Sequence, residues 1–400
     1  MSNKTLRKLT LLFALFSTIT AALPVVGFSQ AVGTAAPSAN PYAAALAVIE
    51  QKTEARRQEL GIPGMALAIV KDDQVIFMKG LGYKDFEKKV AVTPDTQFAI
   101  GSATKAFTAL SVLLAQDEGK LSLDDHPRKF LPYFKMYDPE TDKNITIRDL
   151  LSHSSGLNRT DLAMITGKLT RAELIEVAAQ AKPTAKLREK FQYQNLMFTA
   201  AGEIVSKIEN RSWEKIVPEK ILKPLGMANT TMSIAQMEKA NDRSLGYTYN
   251  FDTKETTLRP YRSIDEVAPA GSINSSARDM GTWLRFVLNG GVLDGKRIVS
   301  EKSFAEWLKP QMKMTPDGKR SYGLGWFLEE WDGLKVVQHA GNIDGFNSQV
   351  AMIPEKKLGF VMLTNVTGSP LGTELMPLIW KSMLEEPKKP EAANQTGYLP

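Results

Sequence analysis

The stretch AIGSATKAFTALSVLLAQDEGKLSLDD, residues 99–125, sets a serine and a lysine three residues apart at the start of a strongly apolar segment. Ala103, Phe107, Leu110 and Leu114 make that segment a central helix. Ser102 and Lys105, at i and i+3, share one face within reach of each other. At the helix start the serine meets unpaired backbone N–H groups and the positive end of the dipole. An ammonium in apolar surroundings loses hydration, which favours the neutral amine, and a neutral amine can take the serine proton. That is the chemistry of a Ser-Lys nucleophile. The spacing alone is weak. Ser212 and Lys215 repeat it in RSWEKIVPEKIL, where Glu214 and Lys220 mark a solvated helix face.

Outward from this helix, residues 42–61 (YAAALAVIEQKTEARRQELG) read as an amphipathic helix stopped by Gly61 and Pro63. Two β-rich runs follow, residues 65–71 and 74–83, joined by Asp72 and Asp73 as a hairpin. From Ser102 to about Asn289 the pattern is mostly helical, with loops at Gly156, Pro183 and Pro224. Residues 276–291 (SARDMGTWLRFVLNGG) form a capped helix with a glycine stop. Strand-like runs return at residues 322–331, 335–341, 346–355 and 358–365, and a last helix covers residues 372–384. This order predicts an α/β (α+β) fold: an antiparallel sheet built from both chain ends, flanking helices, and a large helical region inserted at about residues 102–290.

Residues 1–30 read as a secretory signal peptide: a basic MSNKTLRK, an apolar run broken by Pro24, and small residues at Gly27, Ser29 and Ala31. Ser17, Thr18, Thr20 and Pro24 weaken a retained span, so the protein is expected to be exported, periplasmic or secreted, without a stable membrane span. A linker at residues 31–41, a catalytic domain at 42–385 and a polar tail at 386–400 complete the layout. With 400 residues and 43% hydrophobic content, the chain can bury a large core. Lys4, Arg7 and Lys8 belong to the leader, so cleavage lowers the net charge from +6 to +3, which gives no argument for nucleic acid. The absence of cysteine excludes disulfides and a thiol nucleophile.

Other chemistries lack their motifs. There are three histidines and no H-E-x-x-H, so no metal is expected, and no cofactor. No G-x-S-x-G elbow is present. Gly290, Gly295 and Lys296 imitate a phosphate loop, but Arg297 replaces its hydroxyl residue and the segment follows a helix, so it reads as a turn.

Two further motifs join Ser102 and Lys105. Tyr193 and Asn195, just before a helical run, can point a phenol and an amide into one cleft, the phenol relaying a proton and the amide holding a substrate carbonyl. His339-Ala340-Gly341 ends an apolar strand, where the glycine would let a substrate backbone lie close. Ser272 and Asn274 form an S-x-N in a turn, where Ser275 or Ser276 better serves as a helix cap. His153 reads as a loop-ordering residue, His126 as exposed, and the glycines of YGLGW as close packing.

With these motifs in order, the chain resembles the serine β-lactamase and penicillin-binding superfamily over roughly residues 42–365. Its nearest likeness there is to the class C branch, D-alanyl-D-alanine carboxypeptidases, D-aminopeptidases and family VIII esterases. LLSHSSGL (residues 150–157), ILKPLGM (221–227), PAGSINSSARDM and YGLGW add to the likeness. The resemblance implies a β-lactamase/transpeptidase-like fold with Ser102 as nucleophile, Lys105 as base and Tyr193 as proton donor to the leaving group. It also implies Asn195, His339, Gly341 and Asn342 as substrate-binding residues, the backbone N–H groups of Ser102 and Asn342 forming the oxyanion hole. His339 stands where efficient β-lactamases carry lysine. Histidine is mostly neutral near pH 7, which shifts the expectation from a β-lactamase to an esterase or a peptidase for D-amino-acid or cell-wall-type substrates. A class C-like β-lactamase and a catalytically weak envelope binding protein are the alternatives. The expected partner is a small-molecule or peptide substrate, with oligomeric state left open.

Overall fold

The two β-rich runs near the start of the chain lie inside a nine-stranded sheet in the computed structural model, which describes residues 40–165 and 167–384. Helix α1 (Ala43–Glu59) leads into β1 (Gly64–Lys71), β2 (Gln74–Asp85) and β3 (Val90–Ala91). Asp72 and Asp73 both adopt positive φ, as the two-residue turn of a twisted hairpin requires. The inserted region carries α2 (Thr104–Asp117), α3 (Ile147–Ser152), α4 (Asn195–Glu209) and α5 (Ala277–Leu288). The chain then returns as β4 (Met312–Lys313), β5 (Ser321–Tyr322), β6 (Phe327–Trp331), β7 (Leu334–Ile343), β8 (Phe346–Ile353) and β9 (Leu358–Thr364), and α6 (Leu371–Leu384) follows. The strand order is β4-β5-β6-β7-β8-β9-β1-β2-β3, antiparallel throughout. The two ends of the chain meet at β1 and β9, where Met65 lies opposite Thr364 and Lys71 opposite Leu358. This is the sheet expected from the sequence.

The composition of β1 explains its central place. Its side chains alternate between two apolar layers, so neither face can be polar. Ala66, Ala68 and Val70 belong to the larger core with α2 and α5, while Met65, Leu67 and Ile69 belong to the layer under α1 and α6. Arg56 grips Glu374 through two hydrogen bonds of 2.7 and 2.9 Å, joining α1 to α6 at the surface. Within the larger core, Phe107 of α2 stacks on Trp283 of α5 with ring centres 3.8 Å apart. Helix α5 begins as expected: the Ser276 hydroxyl accepts from the Asp279 N–H.

The insertion is less purely helical than its sequence pattern suggested. Gly246–Tyr249 and Thr256–Arg259 form a hairpin. Its Thr- and Tyr-rich arms suit a strand, and Asn250 orders the turn by accepting from the Asp252 and Thr253 N–H groups. Asp294 and Gly295 form a tight turn that joins Val292–Leu293 to Lys296–Arg297. The described residues from Tyr42 to Leu384 form one compact unit. The expected leader, nearly all of the linker, and the tail lie outside the described residues. Among the described residues, no helix is long and apolar enough to cross a membrane.

Candidate active site

Ser102 sits in a single 3₁₀ turn, Gly101–Ala103, that feeds directly into α2. The turn is pinned from two sides. The Ile100 N–H donates to the Ile273 carbonyl at 3.0 Å, and the Ser348 hydroxyl donates to the Ile100 carbonyl at 2.8 Å. Gly101 has φ +52°, and a Cβ there would stand 3.0 Å from the Asn342 nitrogen. Only glycine permits both the conformation and the approach.

One turn on, Lys105 is fully buried. Its Nζ lies 3.2 Å from the Ser102 Oγ, 2.8 Å from the Asn195 Oδ1 and 2.7 Å from the Ala270 carbonyl. Burial drives its pKa well below the ordinary lysine value; the Asp161 carboxylate opposes this and Arg159 reinforces it. A neutral amine has two N–H donors and one lone pair. The amide and carbonyl oxygens take the donors, which leaves the lone pair for the serine hydroxyl. The geometry is that of a general base.

Tyr193 is brought to the same point. Its ring centre is 4.9 Å from the Lys105 Nζ, and its phenol lies beside Ser102. Burial holds that phenol well above the usual tyrosine range, so it stays protonated and able to donate. His153 orders this loop. It caps α3 in the left-handed conformation, and its Nδ1 accepts from the Gln194 N–H at 3.0 Å. Its carbonyl accepts from the Gln192 N–H, and its ring lies 4.2 Å from that of Tyr193. Gln194 in turn caps α4 and donates to the Asn158 carbonyl.

The second N–H of the expected oxyanion hole follows from strand register. Ile343 and Phe346 flank a two-residue turn, which makes them a hydrogen-bonded pair. Asn342, opposite Asn347, is then a non-hydrogen-bonded position whose N–H points away from β8. Strand β6 pairs with β7 only as far as Gln338, so that edge is open toward Gly101 and Ser102.

Three of the expected substrate contacts are placed differently in the structure. His339 is buried, with Nδ1 donating to the Ala340 carbonyl at 2.6 Å and Nε2 therefore accepting from the Tyr322 hydroxyl at 3.0 Å. Neither nitrogen is left for a substrate, and the ring packs behind Tyr193 among Tyr322 and Phe327. A Cβ on Gly341 would lie 1.9 Å from the Ile100 carbonyl oxygen, so the chain's own nucleophile loop, not a substrate, demands the glycine. Asn195 borders the cleft, but its Oδ1 faces Lys105 and its Nδ2 donates to Asp161 at 3.0 Å; what it positions is the lysine.

Ser272 and Asn274 are buried away from the cleft, bonded to Met232, Thr231 and Ser233. Lys215 is exposed. His126 is half-buried instead of exposed: it caps a short 3₁₀ turn through Nδ1 and meets the Asp142 carbonyl through Nε2. Gly325 of YGLGW packs on the backbone of α2, where a Cβ would stand 2.9 Å from the Lys105 carbonyl.

The cleft in front of Ser102 has a volume of about 310 Å³ and is lined by Ser102, Asn195 and Asn342 among others. Its lining adds residues that the sequence did not single out: the charged Arg159, Asp161, Arg262 and Asp344 and the apolar Met164 and Ile264. Arg159 donates to Asp161 at 2.6 Å and Arg262 to Asp344 at 2.8 Å, so these charges are paired. Asp161 lies four residues beyond the end of LLSHSSGL, which was its one signal. Among the described residues no group of three or more His, Cys, Asp or Glu could hold a metal ion.

A serine with a fully buried lysine three residues on, set where an antiparallel sheet meets a helical insertion, defines the class. A profile of the Beta-lactamase family matches residues 49–382, and the chain belongs to that family. Protein flp of Staphylococcus aureus (strain N315) is 30% identical over 323 residues, 80% of this chain and 62% of that protein. The Unguisins hydrolase ungD' of Aspergillus campestris (strain IBT 28561) is 31% identical over 318 residues, covering 76% and 58%. The chain thus spans about three fifths of these curated relatives. The octameric penicillin-binding protein homologue from Pyrococcus abyssi shares the fold with a TM-score of 0.75, 28% identity, 84% coverage of this chain and 76% of that one.

The buried histidines carry a stability prediction. Burial, then the Lys105 charge, hold His339 down to about 3 from 6.5, and burial also holds His153 well down. The unfolded chain therefore binds protons that the folded chain refuses, so stability is full above about pH 6.5 and falls as pH drops toward 3. His339 alone should cost about 2 kcal/mol by pH 5. Urea unfolding of wild type and His339→Gln at pH 7, 6 and 5 measures this. Equal slopes in the two proteins would show that His339 is not held neutral.

Proposed function

We propose that the protein is an exported serine hydrolase that forms an acyl-enzyme on Ser102 and acts on esters or on amides of D-amino-acid or cell-wall peptide type. The observation that carries this is the fully buried Lys105, its Nζ 3.2 Å from the Ser102 Oγ and 2.8 and 2.7 Å from the Asn195 and Ala270 oxygens. Ser102 Oγ attacks the substrate carbonyl, and its proton passes to Lys105. The N–H groups of Ser102 and Asn342 hold the oxyanion, each such donor being worth roughly 3–4 kcal/mol of barrier. Tyr193 hands a proton to the leaving group and is refilled from Lys105. Water then attacks the acyl carbon, giving a proton to Lys105, and Ser102 leaves with a proton. Export rests on the basic, apolar and small-residue pattern of residues 1–30.

The neutral, buried His339 supports this substrate class, since no fixed cation stands at its strand position for a β-lactam carboxylate. The alternative of a class C-like β-lactamase draws support from the family and from the penicillin-binding homologue. Incubation with p-nitrophenyl acetate, a D-alanyl-D-alanine peptide and a fluorescent penicillin, with adducts located by mass spectrometry, separates them. Ester or peptide turnover with at most slow penicillin release is expected. Rapid penicillin turnover without the others would favour the lactamase, and no turnover of any would leave a binding protein.

A further inference from the structure

We propose that Asp161 is a positioning residue that acts through Asn195 to keep the lone pair of Lys105 on Ser102. The inference rests on the reading of Ser102 as nucleophile and Lys105 as base. Asn195 lies between two unlike partners, the Lys105 Nζ at 2.8 Å and the Asp161 Oδ1 at 3.0 Å. A carboxylate only accepts, so it takes the NH₂ end of the amide and turns the oxygen to the lysine. With the amide reversed, its oxygen would face a carboxylate and its NH₂ would face the amine. A neutral amine would then accept the amide N–H with its one lone pair, and no acceptor would remain for the serine proton. Orientation of one side-chain amide thus decides whether Lys105 can act. Arg159 holds the carboxylate in place from its other oxygen, at 2.6 Å.

Charge enters separately. The groups that face Lys105 are Asp161 and Arg159 from the loop after α3, His153 at the end of α3, Tyr193 before α4 and His339 from β7. Both histidines are buried and neutral, so the Asp161–Arg159 pair supplies the field. Asp161 favours the ammonium and Arg159 opposes it. Removing the carboxylate charge should therefore move the acid limb of the rate profile to lower pH. A purely electrostatic Asp161 would do that and leave the plateau intact.

The test is the pH profile of Ser102 labelling by a fluorophosphonate in wild type, Asp161→Asn, Asn195→Ala and the double variant. Asp161→Asn, whose amide can present either end to Asn195, should lower the plateau rate about 10–100-fold and also shift the acid limb downward. In the Asn195→Ala background, with no amide to orient, the same substitution should no longer lower the plateau. An unchanged plateau in Asp161→Asn overturns the inference, as does a loss that persists undiminished in the Asn195→Ala background. Labelling of wild type at a residue other than Ser102 would instead overturn the reading beneath it.

Discussion

Ser102→Ala is expected to abolish covalent labelling and to lower turnover by about 10⁴-fold or more, the loss typical of removing a catalytic nucleophile. The fold should barely register the change. The hydroxyl fills no core cavity, and its 3.2 Å contact with Lys105 is a single hydrogen bond. Such a bond contributes about 1 kcal/mol, and here part of it only offsets the desolvation of the lysine. Ser212→Ala is the matched control. It alters the second S-x-x-K, whose serine makes no side-chain cap bond and whose lysine is exposed, so rate and thermal midpoint should both stay at wild-type values. Initial rates with a p-nitrophenyl ester and a thermal melt on each protein decide the matter. Near-normal turnover in Ser102→Ala would remove the mechanism altogether.

The contrast between the two S-x-x-K pairs shows how much of the site the sequence carried. Apolar neighbours placed Lys105 in a core helix and charged neighbours placed Lys215 in solvent, and both placements are seen in the structure. That strands from both chain ends share one sheet was legible in the order of the elements. Runs with no polar alternation, such as residues 65–71 and 358–364, must be buried on both faces, so they belong in the middle of the sheet. What was hidden depends on direction instead of burial. His339 and Gly341 sit at the expected strand end, but nothing in their spacing says that both histidine nitrogens meet protein groups. Nor does it say that Ile100 occupies the space over the glycine. Asp161 and Arg159 escaped because a charged pair in a loop carries no period. Its meaning comes only from Asn195, in a helix that begins far along the chain.

The approach of the nucleophile loop to β7 sets the second large effect, that of Gly341→Ala. One methyl group there would fall 1.9 Å from the Ile100 carbonyl oxygen and 2.6 Å from the Ser348 hydroxyl. Neither neighbour can step aside cheaply. The carbonyl is backbone, and Ser348 is the group that fixes it, through the 2.8 Å bond. Relief must come from the loop and the strand moving apart, at a cost of about 1–3 kcal/mol for an overpacked site. Those two segments carry the two proposed oxyanion donors, the Ser102 and Asn342 N–H groups, so their separation would open the hole. Loss of one donor's alignment lowers kcat about 10²–10³-fold. The cleft walls are untouched, so KM should change far less. Gly281→Ala supplies the comparison. It lies inside α5, where a Cβ would meet only ordinary contacts, the nearest at 3.5 Å to Val75. Replacing a mid-helix glycine should add up to about 1 kcal/mol of stability without touching the rate. Steady-state kcat and KM with one ester, measured well below each melting point, read both effects. A folded Gly341→Ala protein with wild-type kcat would show that the oxyanion site does not depend on how closely the loop and the strand are packed.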